Sequence, residues 1–435
     1  MNKTNQTIKN NFIKILQCIL FFCVFYVTYI FVNMAVVDTD SATRLSLHDF
    51  YNQENIDLAI IGTSRVNRGF NPELADELLG INTFNMATPS QTFDGSYYYL
   101  KELIKNYNPK TVFFNVEFDF MTRAIGQQKC NWIISDYMKG INRYQYILNV
   151  FEKEEWPIML SGIYRYRQDI TKEYCLNNLK AKLNANYWNY NTENKYYKNY
   201  KWYIGKGFCW AEKAFPEYSF FGYENNYSEF EEVNVNKFNS EAIYYLIKSI
   251  ELCKENDVEI ILLTMPQTNL FLNHAGNYQE YTDYMKKLSA KYEISYYDFN
   301  LLKDDQFFDH EFTNLDHLTL EGANHFTRDL CALYKDCNSL TFVDSLDDRP
   351  REGIIGVTYN YKQGDRNNRK LQWNIESFEQ SNYLVKVIEK NENTVIFESA
   401  LIAGSEIEYP LEENSITILE IYDMEKHNLG NCVLQ

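Results

Sequence analysis

The segment Asp57-Leu58-Ala59-Ile60-Ile61-Gly62-Thr63-Ser64-Arg65 constrains this chain most. Four apolar residues run into a glycine, a small residue and a serine. A short apolar run closed by turn residues fits a strand buried on both faces of a parallel sheet. Val66 to Leu79 then carries apolar positions and acids at roughly helical spacing, with Pro72 placed to start a helix. This predicts Ser64 at the carboxyl end of the first strand of an open α/β sheet, where such sheets place their sites. A turn there exposes the hydroxyl and leaves backbone N–H groups free to face an oxyanion. Taken alone, the same serine could simply cap the following helix.

The same rhythm continues along the chain. Ile81–Ser90 reads as a second strand with its exit loop, Tyr97–Tyr107 as a helix and Lys110–Val116 as a third strand. From Met121 to about Val235 the alternation stops, and tryptophans (132, 156, 188, 202 and 210) and tyrosines such as Tyr196-Tyr197 crowd the sequence. Apolar spacing predicts helices over Trp132–Leu148 and Ile158–Leu176. A long insertion between the halves of a sheet reads as a cap near the site. Its aromatics either pack its own core or stack on sugar rings. The rhythm then resumes with helix 240–256, strand Val258–Thr264, helix Tyr278–Tyr292, strand Ile294–Tyr297 and a closing helix Gly322–Tyr334.

Near the end of this region the chain reads FFDHEFTNLDHLTLEGANHFT over Phe307–Thr327. His317 lies between Asp316 and Leu318, and Gly322-Ala323 follows one turn later. With Gly62-Thr63-Ser64-Arg65 at the start and this histidine segment at the end, the chain resembles the SGNH/GDSL hydrolase superfamily over residues 55–335. Within it, the chain is similar to the membrane-anchored, DltD-like and alginate-O-acetylation-like branch that decorates cell-surface polymers. The resemblance implies Ser64 as nucleophile and His317 as its base. It places a backbone oxyanion donor after Asn85 at Ser90, beside the N–H groups of Ser64 or Arg65. The family's third block is missing, because Phe118 precedes Asp119 where an Asn is expected. Asn115 and Glu117 read either as site residues or as ordinary polar strand ends.

The family's Asp three residues before the histidine is Asn314 here. In an extended loop the side chain of Asp316 would point away from that of His317. The expectation is therefore that Asn314 orients the ring through its carboxamide oxygen, with Asp316 nearby in a structural or electrostatic role. Asp309 is a remaining carboxylate. His48, His274, His310, His325 and His427 have no motif partners and read as structural, although His310 and His325 flank the site loop.

Residues 1–14 are polar, with Lys3, Lys9 and Lys14, and Ile15–Val37 carries no charge before Asp38 and Asp40. At about 1.5 Å per residue that run crosses a bilayer core. Lysines before it and acids after it place residues 1–14 in the cytoplasm and the bulk of the chain outside. A cleaved signal peptide would need a shorter run and a small-x-small site before Asp38. Asp38–Asn55 reads as a polar connector. Polar residues with Pro350 mark a linker near 344–351. Short strands at Ile354–Tyr361, Tyr383–Ile388, Thr394–Phe397, Glu406–Tyr409 and Ile416–Tyr422 then suggest a β-sandwich-like domain over 352–435.

The expected architecture is an SGNH-like three-layer α/β domain over 55–340, with an aromatic-rich helical insertion (121–235), a transmembrane helix and a small all-β domain. A net charge of −17 argues against nucleic-acid partners, and is awkward for a polyanionic substrate unless the cleft is locally basic. Nine cysteines without a Cys-x-x-Cys pair argue against zinc knuckles, and no cofactor or metal set is visible. The resemblance implies O-acyl transfer or ester hydrolysis on a cell-surface glycopolymer, with a multi-pass membrane acyltransferase as acyl donor. The alternative is a non-catalytic accessory or glycan-binding protein that keeps the fold.

Overall fold

A computed structural model describes the whole chain except residues 1–2, 38–41, 127–137, 169, 185–186, 188–195, 198–200, 212–217, 221, 225–231, 305, 351–352, 364–367, 380, 392–393, 411–414 and 435. Its centre is a five-stranded sheet of β1 (Leu58–Ile61), β2 (Thr83–Asn85), β3 (Thr111–Asn115), β4 (Glu259–Thr264) and β5 (Ser295–Asp298). The order is β2-β1-β3-β4-β5 and every pair is parallel. Successive side chains on a strand face opposite ways, which divides the core in two. Ala59, Ile61, Val112, Phe114, Ile260 and Leu262 pack under helices Phe93–Tyr107, Ser240–Glu255 and Tyr278–Tyr292. Leu58, Ile60, Phe113, Ile261 and Leu263 pack on the other face, under helices Ser64–Gly69, Pro72–Leu79 and Leu320–Lys335. A fully buried side chain of this size contributes about 1.5–3 kcal/mol, so the three layers explain why the strands read as unbroken apolar runs. Strand order reverses at β1, between β2 and β3. That leaves a crevice at the carboxyl end of β1.

The helix that Pro72 was expected to start is Pro72–Leu79, and a shorter one, Ser64–Gly69, precedes it. Asn71 separates the two and caps the longer by accepting the Leu74 N–H, with Pro72 opening it. The connector Asp38–Asn55 contains helix Ala42–Tyr51, whose Leu47 and Phe50 are buried, Phe50 packing edge-to-face on Phe84 and Tyr107. The insertion is helical at Ile141–Val150, Trp156–Leu160, Gly162–Arg165 and Lys172–Leu183, and adds an unforeseen antiparallel hairpin, Lys201–Gly205 with Phe208–Ala211. The predicted helix start at Trp132 lies outside the described residues, as does Trp188.

The all-β region forms two four-stranded sheets, and strands Asn368–Ser377 and Asn428–Leu434 join those expected from sequence. One sheet takes its edge strand from the insertion: Gly222–Glu224 pairs in parallel with Ile354–Gln363. His274 and Asn273 also hydrogen-bond Glu376 across from the α/β domain.

Helix Lys3–Val36 contains a stretch, Asn11–Val36, long and apolar enough to cross a membrane. Its carboxyl end is held by the insertion. Lys182 donates to the Met34 and Val37 carbonyls, and Asn178 to the Ala35 carbonyl, filling positions that a helix end leaves without partners. The described cysteines are free thiols.

Candidate active site

Ser64 opens helix Ser64–Gly69 directly after β1. Thr63, not Ser64, is its cap, accepting the Arg65 N–H at 3.3 Å. The serine hydroxyl is therefore released from capping. Gly62 is required by close approach, since a Cβ there would lie 2.5 Å from Asn115 Cβ. The helix is fixed from β2 by Asn85, whose Nδ2 donates to the Val66 and Phe70 carbonyls, both at 2.9 Å, and whose Oδ1 accepts the Ala87 N–H. Both amide hydrogens of Asn85 are thus used, so this residue positions the Ser64 helix and its side chain has no donor left for an oxyanion. The tip of the insertion hairpin closes on the same place. Asn67 Nδ2 donates to the Gly207 carbonyl at 2.7 Å, and Gly207 has φ +86° with no room for a Cβ beside the Asn85 carbonyl.

His317 stands on a small hairpin, Phe312–Asn314 paired with His317–Leu318. Its Nε2 is 2.7 Å from Ser64 Oγ. Its Nδ1 is 2.6 Å from Asp316 Oδ1 and 3.0 Å from Asn314 Oδ1. Asp316 does not point away: the tight turn between the two short strands departs from extended alternation and brings it round to the ring. Asn314 Oδ1 already accepts the backbone N–H groups of Asp316 and His317, at 3.3 and 2.9 Å. Asn314 Oδ1 therefore meets the ring N–H as expected and also shapes the turn, while the Asp316 carboxylate adds a close negative charge beside the same ring nitrogen.

Arg65 ties this carboxylate to the sheet. Its Nε and Nη2 donate to Asp316 Oδ2 at 3.0 and 2.9 Å, and its Nη1 and Nη2 to Asp119 at 2.8 and 3.1 Å. Glu117 Oε2 lies 3.3 Å from Nη1, and Arg123 sits 3.6 Å from Asp119. Burial opposes ionisation of Asp316, but His317 and Arg65 overrule it and hold the group well below the usual carboxylate range. Burial also pushes the His317 pKa down; Asp316 pulls it up, while the charges of Arg68 and Arg65 push it further down. Desolvation drives Glu117 up to about 8, against the pull of Arg65. A neutral Glu117 leaves Asp119 and Asp316 matched one for one by Arg65 and Arg123, which suits a site this dry.

Ser90 lies in the loop after β2, whose Thr88 N–H bonds the Gly62 carbonyl at 3.2 Å. Its φ is +55°, a conformation that glycine adopts without cost. Phe118 is core, packed on Phe271, Tyr278 and Tyr281. Asn115 donates to Glu117. Glu117 reads from sequence either as a site residue or as a polar strand end, and Asp119 and Arg68 are not singled out there. The available signal was two acids, Glu117 and Asp119, at the exit of a buried strand in a chain whose serine is followed by arginine. The other histidines have separate partners: His325 bonds Glu311 under Phe307, His310 stacks on Phe308, His48 meets Asn52 and His427 meets Asp423. No group of metal-binding side chains occurs among the described residues.

A protein-family model matches residues 225–336. No curated protein matches the chain. Among solved structures it is similar to a GDSL-like lipase from Bacteroides thetaiotaomicron, at 10% identity and TM-score 0.32, covering 69% of this chain and 98% of that one. It is similar to a protein of Desulfitobacterium hafniense described as lipolytic and of the G-D-S-L family, at 12% identity and TM-score 0.28, covering 64% and 98%. A Bacteroides fragilis protein described as an acylhydrolase matches at 9% identity and TM-score 0.32, covering 66% and 94%.

Proposed function

We propose that this chain is a membrane-anchored, extracytoplasmic serine acyltransferase or esterase acting on O-acyl groups of a cell-surface glycopolymer. The observation that carries the chemistry is the 2.7 Å contact between Ser64 Oγ and His317 Nε2, with a carboxylate on the opposite ring nitrogen. A serine hydroxyl is a weak nucleophile until a base takes its proton during attack. His317, kept neutral by burial, accepts that proton as Oγ bonds to the ester carbonyl carbon. Asp316 and Arg65 stabilise and orient the imidazolium that forms. Backbone N–H groups at the start of the Ser64 helix and at Ser90 are the proposed oxyanion donors. The ester C–O bond then breaks, and His317 returns the proton to the departing alcohol. Water or a sugar hydroxyl attacks the acyl-serine by the same steps in reverse.

The glycopolymer, the acyl-supplying multi-pass membrane partner and the outside location of the domains follow from the resemblance and from the lysines ahead of the apolar helix. Protease added to intact protoplasts should digest the chain beyond residue 40. The chemistry is tested with a fluorophosphonate probe: Ser64 should be labelled in the intact protein and unlabelled in Ser64→Ala, which should also lose polymer O-acylation or esterase activity while remaining folded.

A second reading, a non-catalytic accessory of the same polymer pathway, is favoured by one feature. Where the family places an asparagine that donates to the oxyanion, this chain has core Phe118. A folded protein that no fluorophosphonate labels belongs to that reading.

A further inference from the structure

Residues 11–31 of the first helix are all exposed. Cover begins at Val32 and is complete at Val36 and Val37, which are 5% and 4% exposed. At 1.5 Å per residue the bare stretch is about 31 Å long, which matches a hydrocarbon core of about 30 Å. Thr28 within it donates its hydroxyl to the Val24 carbonyl at 2.8 Å and so is satisfied inside the helix. Taken as a membrane span, the helix leaves the hydrocarbon near Phe31. Met34 and Ala35 then lie about 5–6 Å further along the axis, inside a headgroup layer that adds about 5–7 Å on each side.

The insertion is what covers the helix at that height. Lys182 donates to the Met34 carbonyl at 3.1 Å and to the Val37 carbonyl, and Asn178 donates to the Ala35 carbonyl at 3.1 Å. Gly162 packs so closely that a Cβ there would lie 2.7 Å from Val37 Cγ2. Helix Lys172–Leu183 uses one face for this grip, with Cys175, Asn178, Leu179 and Lys182 covered at helical spacing. Leu176 and Leu183 stand on a different face and are 44% and 74% exposed. Leu160, Tyr164 and Ile170, just before this helix, are exposed as well.

Single exposed apolar residues are ordinary on a protein surface. These five are set apart by their place, in the segment that grips the helix where it leaves the hydrocarbon. Charge points the same way. From Trp156 to Asn184 there are five lysines and arginines against Asp169 and Glu173, a balance of +3 in a chain of −17. Leucines, an exposed tyrosine and an excess of basic residues together make up segments that lie in the plane of a membrane interface.

We propose that the insertion is seated, through residues 160–183, in the headgroup layer of the bilayer that the first helix crosses, with the lipid surface itself as its partner. This rests on the reading of that helix as a membrane span. The insertion also holds the Ser64 helix, through Asn67 Nδ2 and the Gly207 carbonyl at 2.7 Å. Its seat therefore sets how the crevice at β1 is presented to the membrane.

The test uses the full-length protein reconstituted, without any other protein, into vesicles of phosphatidylcholine and phosphatidylglycerol. A fraction of the phosphatidylcholine carries a photoreactive diazirine near the glycerol end of one acyl chain. After illumination and digestion, label is read peptide by peptide by mass spectrometry. Peptides from 11–31 and from 160–183 should both be labelled. The peptide holding Met424 and Leu429, which are also exposed and apolar but belong to the all-β region, should stay unlabelled. Leu176→Glu combined with Leu183→Glu changes two exposed side chains. It should lower the label on 160–183 to the level of the Met424 peptide and leave the label on 11–31 as it was. Label on 11–31 without label on 160–183 overturns the proposal and gives that face to water or to another protein. Label on 160–183 that is no stronger than on the Met424 peptide, or that is unchanged in the double variant, also overturns it. Label on neither 11–31 nor 160–183 removes the membrane reading beneath it.

Discussion

Arg65 Nη2 lies 2.9 Å from Asp316 Oδ2, so the residue after Ser64 holds the residue before His317. The two come from opposite ends of the α/β domain, and the contact closes it across the crevice at β1. Because Arg65 is buried, its charges are poorly screened and its fork geometry sets the position of the Asp316 carboxylate. Arg65→Lys keeps a positive charge but cannot span Asp316 and Asp119 together. The rate of Ser64 labelling should fall by about 10–100-fold, as displacement of a positioning group does, with the far-UV spectrum kept. A rate equal to that of the intact protein would make the contact purely structural.

Asp316 and Asn314 are separable by substitution. With Asp316 as the group on Nδ1, Asp316→Asn should slow labelling by about 10³–10⁴-fold, the scale seen when a triad carboxylate becomes an amide. Asn314→Ala removes an oxygen that accepts two backbone N–H groups, so its cost should appear mainly as a lower melting temperature of the hairpin region. If Asn314→Ala abolishes labelling and Asp316→Asn does not, the carboxamide is the orienting group.

The sheet was legible because β1, β3 and most of β4 are buried on both faces, which writes apolar runs such as Leu58–Ile61 and Ile260–Leu263 directly into the sequence. The serine and histidine were legible because each sits at the edge of such an element. The surroundings of the ring were legible in part: Asn314 Oδ1 meets Nδ1 as expected, but Asp316 also reaches the ring through a turn that Asn314 builds with its side chain, where strand alternation gives the wrong direction. Arg65 with Asp119 and Glu117 was illegible for another reason: the partners are 52 to 54 positions apart, and only the sheet order β1-β3 brings them together. Strand Asn368–Ser377 was missed although Leu371, Trp373 and Ile375 alternate, because charged residues on its outer face dilute the pattern.

The acid side of the pH profile follows from the His317 environment. Burial and two nearby guanidinium groups lower its pKa below the ordinary 6.5. Only the neutral ring can take the Ser64 proton, so labelling should persist to more acidic pH than a free imidazole would allow. The midpoint of the acid limb should lie below 6.5. A midpoint at or above that value would mean that the Asp316 carboxylate outweighs burial and the two arginines.

Truncation near Ser345 removes the strand, Ile354–Gln363, on which Gly222–Glu224 of the insertion pairs. The central sheet keeps all five strands, so the α/β core should still fold. The edge strand at 222–224 loses its ladder and the His274–Glu376 contact is lost. Limited proteolysis of the truncated protein should cut first at the released strand Gly222–Glu224. Loss of the central sheet's cooperative melting would show that the β region shares one folding unit with it.

Glu117 gives a stability prediction whose sign is opposite to that of an ordinary paired carboxylate. Its pKa rises from 4.5 to about 8 in the folded protein because burial disfavours the charge. Between those values the folded state holds a proton that the unfolded state has released, so this group makes stability fall as pH rises. Its contribution is fully present below about pH 4.5 and is lost as pH passes through about 8. One proton alters stability by at most about 1.4 kcal/mol per pH unit. Glu117→Gln removes the titration and keeps an oxygen for the Asn115 and Met265 donors, while the Gln267 amide can turn its own oxygen toward the new NH₂. Urea unfolding between pH 5 and 8.5 should therefore show a shallower decline with pH in Glu117→Gln than in the intact protein. Parallel pH dependences would mean that Glu117 stays ionised throughout, held by Arg65 and the donors around it.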